Sequence, residues 1–175
     1  MERQLVVTRN PLRRPPIAAS LIAGTLLSLT VCTARTTSMN QTPLTDFATR
    51  YAAAWSSQHP DSLASFYAET GSLQVNAGAP SIGRAAISAT AQGYMTAFPD
   101  MVVKMDSVRQ EGGQVTFHWT WTGTNTGPGG TGKAVRITGY EQWTMGPDGL
   151  IAESKGHFDD AEYQRQLNAG APTAH

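Results

Sequence analysis

The second half of the chain alternates between apolar and polar residues, which is the pattern of strands buried on one face. Strands are predicted at residues 101–109, 115–122 and 134–145, with a last strand that ends at Gly156-His157-Phe158-Asp159. Asp148-Gly149 is a strong hairpin signal just before that last strand. Because these strands are long, consecutive and rich in aromatic residues, we expect a curved antiparallel sheet beside an aromatic-lined cavity.

The first half instead repeats its apolar residues every three or four positions, as one face of a helix does. Thr45 and Asp46 suit the start of a first helix, since Thr caps helices and Asp favours the first turn. Pro60 suits the start of a second helix, whose apolar stripe includes Phe66 and Tyr67 and which ends near Gly71. A short strand is predicted at 72–76, a third helix at 84–98 and a last short helix at 160–167. Helices early and strands late indicate an α+β domain.

Residues 1–38 are set apart as a leader segment, because basic residues precede an apolar run of about 15 residues, as in a secretory signal. Three interpretations remain open. A signal peptidase cleaves after Ala34 and the protein is exported, or Cys32 is lipidated and anchors an exported bacterial protein in a membrane. Alternatively, translation starts at Met39 and the protein is cytoplasmic.

The remaining chain is read as one domain at 39–167 followed by a flexible tail at 168–175. From Met39 onward there are 12 Asp and Glu residues against 8 Lys and Arg, a net charge of −4. An acidic domain without a cluster of basic residues argues against nucleic acid and anionic membranes as partners. The single cysteine is Cys32, so the domain has neither a disulfide nor a thiol nucleophile.

Six short motifs follow one another along the domain in a characteristic order. They are FATRYAAAW at 47–55, PDSLASF at 60–66, GRAAI at 83–87, AFPD at 97–100, WTWTGTNTG at 119–127, and DGLI at 148–151 leading to Asp159. Together they resemble the SnoaL-like branch of the nuclear-transport-factor-2-like superfamily over residues 43–167.

The resemblance implies a cone, in which a curved antiparallel or mixed sheet wraps around about three N-terminal helices and encloses a pocket. It also implies a homodimer. Polyketide cyclases of this branch close a ring by intramolecular aldol condensation without metal or cofactor, and Asp159 matches their acid/base residue. The chain departs from the pattern at two positions, with Asn125 where His is usual and Lys155 where Trp is usual.

Asp159 and His157 are the candidate catalytic residues. Burial in an aromatic pocket would raise the pKa of the Asp159 carboxyl and suit it to proton transfer. The alternative is that Asp159 caps the helix at 160–167. His157 lies two residues earlier and therefore on the same face of the strand, where it binds substrate, tunes Asp159 or serves structure only.

Tyr51, Trp55, Trp119 and Trp121 are expected to line the pocket and contact substrate, although most aromatic residues at these spacings form core. Asn76 either orients a ligand carbonyl or forms a turn.

Two further residues are left open by the strand pattern. Glu141 is either buried and functional, or paired with Arg136 or Lys133 at the rim. His118 alternates with Trp119 and is therefore predicted on the outer face of the sheet.

No cofactor or metal is expected. The loop at 127–134 resembles a phosphate-binding loop, but Ala134 follows Lys133 where Ser or Thr would hold magnesium, and a strand follows where a helix is needed. His157, Asp159 and Asp160 lack a second His at ligand spacing.

The leading hypothesis is a small cofactor-independent enzyme that performs acid/base chemistry, cyclisation or isomerisation, on a hydrophobic carbonyl compound. The alternative is a non-catalytic protein of the same fold that binds a small hydrophobic ligand. A purely structural homodimer, associating through the outer face of the sheet, is the third hypothesis.

Overall fold

The computed structural model describes residues 41–171, in which two helices, two strands and a third helix precede a run of four strands and a last helix. The elements are α1 (Gln41–Ser56), α2 (Pro60–Ala64), β1 (Tyr67–Val75), β2 (Ser81–Ile82), α3 (Arg84–Ala97), β3 (Val102–Glu111), β4 (Gln114–Thr124), β5 (Ala134–Met145), β6 (Ile151–Phe158) and α4 (Asp160–Ala169). The leader with Cys32, the alternative start Met39 and the last residues of the predicted tail lie outside the described residues.

The six strands form one sheet in the order β2-β1-β6-β5-β4-β3. Only β1 and β6 run parallel among these strands, and the other neighbours are antiparallel. This mixed, curved sheet with its helices confirms the predicted α+β class. Within residues 41–171 no helix combines the length and the apolar character needed to cross a membrane.

Alternation along β4 and β5 decides which side chains face the helices. Val115, Phe117, Trp119 and Trp121 are buried on one face of β4, whereas His118 is exposed on the other. Buried and exposed residues alternate along the strand because its successive side chains point to opposite faces of the sheet. The predicted outer-face position of His118 agrees with its exposure.

The second helix is shorter than predicted. It ends at Ala64, so Phe66 and Tyr67 leave the helix and Tyr67 begins β1 instead. Gly71 lies inside β1 rather than at a helix end, and a side chain there would place its Cβ 2.7 Å from the carbonyl oxygen of Ile151. The glycine therefore permits the close approach of β1 to the start of β6, a long-range pairing that local sequence does not encode.

The helix ends also shift. The first helix begins at Gln41 rather than at Thr45. The last helix extends two residues beyond its predicted end, through Asn168 and Ala169. Element ends are set by capping and packing partners as much as by propensity, which explains shifts of this size.

Candidate functional site

A cavity of about 60 Å³ lies against the inner face of the sheet. Its wall is mostly apolar and includes the aromatic residues Trp55, Tyr94, Trp119, Trp121 and Phe158. Glu141 is the one carboxyl among the described residues that line it. A buried acid within an aromatic wall is the arrangement from which proton-transfer chemistry is built.

Glu141 lies on β5, on the same face as the core residues Ile137 and Trp143, and only 5% of it is exposed. Its Oε2 accepts hydrogen bonds from Tyr51 OH at 2.8 Å, Trp143 Nε1 at 2.9 Å and Ser154 Oγ at 2.7 Å. None of these three donors uses Oε1. One oxygen thus fixes the side chain, and the other accepts no hydrogen bond from residues 41–171.

A second tyrosine extends this network. The hydroxyl oxygens of Tyr51 and Tyr67 are 2.7 Å apart, and both side chains are fully buried. Because the Tyr51 hydroxyl donates to Glu141, Tyr67 is the donor in the bond between the tyrosines. The result is a directed chain of hydroxyl groups ending on a carboxyl, in which each member holds the next in position.

Burial raises the pKa of Glu141, and the hydrogen bonds from Ser154, Trp143 and Tyr51 offset this only in part. Burial also raises the pKa of Tyr51 and Tyr67 well above 10, and the charge of Glu141 adds to the effect. In the cavity wall, burial raises the pKa of Tyr94 to about 12. The tyrosines therefore stay protonated at neutral pH, and Glu141 is the carboxyl among the described residues that line the cavity.

Two tryptophans of the wall have unused donors. The indole Nε1 atoms of Trp119 and Trp121 are buried and find no acceptor on any residue from 41 to 171. Trp143, in contrast, donates its Nε1 hydrogen to Glu141. Buried donors without an acceptor are rare in folded proteins because they lose their hydrogen bonds to water without replacement.

Three of the predicted ligand contacts, Trp55, Trp119 and Trp121, line the cavity. Tyr51 does not line the cavity and instead donates a hydrogen bond to Glu141. Asn76 adopts a positive φ of 48° and accepts the backbone N–H of Phe158 at 2.9 Å, so it ties the end of β1 to β6. The turn-forming interpretation of Asn76 is the one that this geometry supports.

Asp159 and His157 lie outside the cavity. Phe158, between them, faces inward, so alternation directs its neighbours outward, toward an open groove shared with Tyr140 and His118. Asp159 is exposed and caps α4, where its Oδ1 accepts the backbone N–H of Glu162 at 3.0 Å. The geometry is therefore that of the capping alternative, and the expected burial of Asp159 in an aromatic pocket is wrong; its part in catalysis stays a prediction.

Asn125 and Lys155, the two residues that depart from the family pattern, each bind other residues of the domain. Asn125 donates to the carbonyl of Ala97 at 3.2 Å and accepts the backbone N–H of Thr131 at 2.8 Å, which secures the glycine-rich loop. Lys155 is exposed and forms an ion pair with Glu153 at 3.1 Å. Neither side chain lines the cavity.

Sequence reasoning left Glu141 undecided and missed the donors Trp143 and Ser154 that bind it, as well as Tyr67, which binds Tyr51. The available signal was an acidic residue in register with apolar ones, on the inward face of a strand that also carries Trp143. In the part of the chain that the structure describes, no three His, Cys, Asp or Glu side chains converge as a metal site would require.

The mixed six-stranded sheet beside helices is an α+β fold of the ketosteroid isomerase-like kind. The family model of the SnoaL-like polyketide cyclases matches residues 45–167, and the chain belongs to this family. No curated protein matches it in sequence.

Solved structures share the fold at low sequence identity. A candidate SnoaL-like polyketide cyclase from Jannaschia sp. CCS1 has 19% identity and a TM-score of 0.66, covering 78% of this chain and 97% of that one. A Catenulispora acidiphila protein of ketosteroid isomerase-like fold, in complex with trimethylamine, has 20% identity and a TM-score of 0.63, covering 70% and 92%. TsrD from Streptomyces laurentii has 19% identity and a TM-score of 0.65, covering 75% and 99%.

Proposed function

We propose that this protein is a small acid/base enzyme that moves a proton on an apolar carbonyl compound, with Glu141 as the general acid and base. The observation that carries the proposal is the position of Glu141. Glu141 is buried in the wall of an aromatic cavity. Its Oε2 accepts three hydrogen bonds, and none of the three donors binds Oε1.

The chemistry follows from the raised pKa of Glu141. A carboxyl with a raised pKa is a stronger proton acceptor when charged and keeps its proton to a higher pH, so it can both take up a proton and return it. Removal of a proton from the carbon beside a carbonyl leaves an enolate. Return of that proton at another carbon isomerises the compound, whereas attack of the enolate on a second carbonyl closes a ring, as the family name suggests.

The size of the cavity supports a small reacting group. Pockets that enclose drug-sized ligands measure roughly 300–1,000 Å³, and this cavity measures about 60 Å³. We therefore expect a small ketone, or the ketone end of a longer molecule, to reach Glu141.

The proposal is tested by deuterium exchange. Unlabelled 2-butanone and cyclopentanone are incubated with the protein in D2O, and loss of the proton signals beside the carbonyl is followed by NMR. We expect the wild-type protein to accelerate exchange and Glu141→Gln to remove the acceleration, since positioned bases contribute roughly 100- to 10,000-fold.

Asp159→Asn is the discriminating variant, because Asn caps helices as well as Asp does and α4 is preserved. We expect this variant to retain exchange. Loss of exchange in Asp159→Asn with retention in Glu141→Gln would move the reaction to Asp159 and the outer groove. Absence of exchange by the wild-type protein with both ketones would contradict the enzymatic proposal.

A second candidate function is non-catalytic binding of a small hydrophobic ligand. The three hydrogen bonds to Glu141 Oε2 favour it, because a buried acid with a purely structural role also needs hydrogen bonds that replace those to water. This function predicts that the ketones bind, that Glu141→Gln still binds them, and that neither protein accelerates exchange.

A further inference from the structure

Gly156 is the one glycine among the described residues that line the cavity, and it is buried. Alternation along β6 places it on the same face as Ser154 and Phe158. That face is the inner one, because Ser154 donates to Glu141 and Phe158 also lines the cavity. A side chain at position 156 would therefore point to the cavity side of the sheet.

The strand register places Gly156 directly beside Glu141. Gly156 pairs with Glu141 on β5 and with Val75 on β1, on the opposite side of β6. Paired residues on neighbouring strands present their side chains to the same face of the sheet. Glu141 and Val75 both line the cavity. The glycine thus lies between two residues of the cavity wall, one of which is the proposed base.

Open space surrounds the position that a side chain of residue 156 would take. A Cβ built there meets two atoms of the described residues within 4 Å, the carbonyl oxygen of Gln74 at 3.5 Å and Cγ of Glu141 at 3.6 Å. Both distances are ordinary van der Waals contacts. Protein interiors are close-packed, so a buried position with so few neighbours borders a cavity. The missing side chain of Gly156 therefore leaves room in the cavity beside Glu141.

Gly139 shows the contrast on the neighbouring strand. A Cβ at Gly139 would lie 2.5 Å from Cζ2 of Trp119, so the indole ring fills the room that this glycine leaves. The room at Gly156 is filled by no described residue. Gly156 is also absent from the residues with positive φ, so its backbone conformation does not require a glycine.

We propose that Gly156 is a specificity-determining residue that admits ketones with a further chain or ring carbon beside the carbonyl. This inference rests on the proposed function, because it concerns which ketones reach Glu141. The extra carbon of the ketone occupies the space over Gly156, next to the Glu141 side chain. In a cavity of about 60 Å³, a methyl group on residue 156 would take that space and leave room for the smallest ketones alone.

Gly156→Ala tests this selection in the full chain. Acetone and cyclopentanone are each incubated with the protein in D2O, and exchange beside the carbonyl is followed by NMR. We expect the variant to keep acetone exchange, while its ratio of cyclopentanone to acetone rates falls roughly 10- to 200-fold. This is the discrimination that one methylene group gives in an apolar pocket. An unchanged ratio, or an equal loss for both ketones, would overturn the inference.

Gly93→Ala is the matched control. Gly93 is exposed on α3, and a Cβ there meets no atom of the described residues within 4 Å. This variant should leave the ratio of the two rates unchanged.

Urea unfolding checks that the space at position 156 is open. We expect Gly156→Ala to be at least as stable as the wild-type protein, because alanine restricts the unfolded chain and meets no clash in the folded one. A Gly156→Ala protein that fails to fold would show that no space is open there, and would overturn the inference as well.

Binding separates this inference from the proposed function. If the wild-type protein accelerates exchange of neither ketone, the proposed function is wrong, and NMR titration then compares the dissociation constants. Weaker binding of cyclopentanone relative to acetone in Gly156→Ala would keep Gly156 as the residue that selects ligand size, and no such difference would overturn it. If Glu141→Gln abolishes exchange while Gly156→Ala keeps the wild-type ratio, the proposed function stands and the inference about Gly156 is wrong.

Discussion

At the scale of single residues, the pKa of Glu141 shows which physical effect dominates inside the cavity. Three neutral donors bind its Oε2 and favour the charged form, yet the pKa is raised. Burial dominates because removing a carboxylate from water costs more than hydroxyl and indole donors return. The same burial that makes Glu141 useful as a base therefore makes it a cost to stability once it is charged.

This cost predicts a pH-dependent difference between the wild-type protein and Glu141→Gln. Between the unfolded pKa, about 4.5, and the raised folded pKa, the folded state holds more protons than the unfolded state. The free energy of unfolding of the wild-type protein therefore falls, relative to Glu141→Gln, as pH rises through this interval. The slope is at most about 1.4 kcal/mol per pH unit.

Urea unfolding of both proteins at pH values from 4 to 8 measures this difference, since all other titrating groups are shared. We expect Glu141→Gln to gain stability relative to the wild-type protein as pH rises from about 4.5. A difference that is constant or that shrinks with pH would show that Glu141 is not destabilised by burial.

At the scale of elements, α4 completes the end of β5. The pairing of β5 with β6 ends at Gly139. From there towards the start of β5, the side chain of Gln166 in α4 binds the edge of the strand instead. Its Oε1 accepts the backbone N–H of Arg136 at 2.6 Å, and its Nε2 donates to the Arg136 carbonyl at 3.0 Å. One buried side chain thus replaces a neighbouring strand, which explains why a glutamine is only 2% exposed.

Gln166→Leu is expected to destabilise the protein by roughly 1–3 kcal/mol, because it leaves backbone groups of Arg136 without partners. Gln164→Leu, at an exposed position of the same helix, is the matched control and should change stability little. Urea unfolding measures both, and amide hydrogen exchange should show faster exchange at Arg136 only in Gln166→Leu. Equal losses in the two variants would mean that α4 is sensitive to leucine in general.

At the scale of the whole molecule, the two faces of the sheet differ in character. The inner face builds the cavity, whereas the outer face presents a row of rings in which Tyr140 lies 5.7 Å from His118 and 4.9 Å from His157. Tyr140 is 36% exposed. We propose this row as the centre of the homodimer surface that the family resemblance implies.

Sedimentation at micromolar concentration is expected to show a dimer for the wild-type protein. Tyr140→Arg should weaken association at least about tenfold, because a charge buried against its own copy costs on the order of 1.4 kcal/mol or more. Tyr140→Phe keeps the ring and should leave the dimer intact. A monomeric wild-type protein would remove both the dimer and the surface assigned to it.

The positions of the strands were predictable because alternation is a local property of the sequence. The residues 134–145 were predicted as a strand and form β5 without a change of bounds. The start of β1 was not predictable in the same way, because Tyr67 leaves the helical stripe to pair with β6, more than 80 residues later. Nothing near Tyr67 in the sequence records that partner.

The residues of the candidate site were likewise predictable only in part. Periodicity indicated that Trp119 and Trp121 share an inner face, and the structure places both at the cavity. Asp159 was expected there as well, since its position matches the family residue, but a cap at α4 and an inward Phe158 direct it outward. For Glu141 the sequence left two alternatives open, a buried functional residue or a partner of Arg136 or Lys133 at the rim. The burial of Glu141 in the structure decided between them.

The sequence by itself determined the α+β class, the inner and outer faces of the long strands and the family, because periodicity and ordered motifs are written along the chain. Only the tertiary structure decided which acid is buried in the cavity wall. Burial, and with it the pKa of a carboxyl, depends on side chains from α1, β1, β5 and β6 that converge on Glu141 from distant parts of the sequence. Tertiary packing also leaves the indole donors of Trp119 and Trp121 buried without an acceptor among residues 41–171.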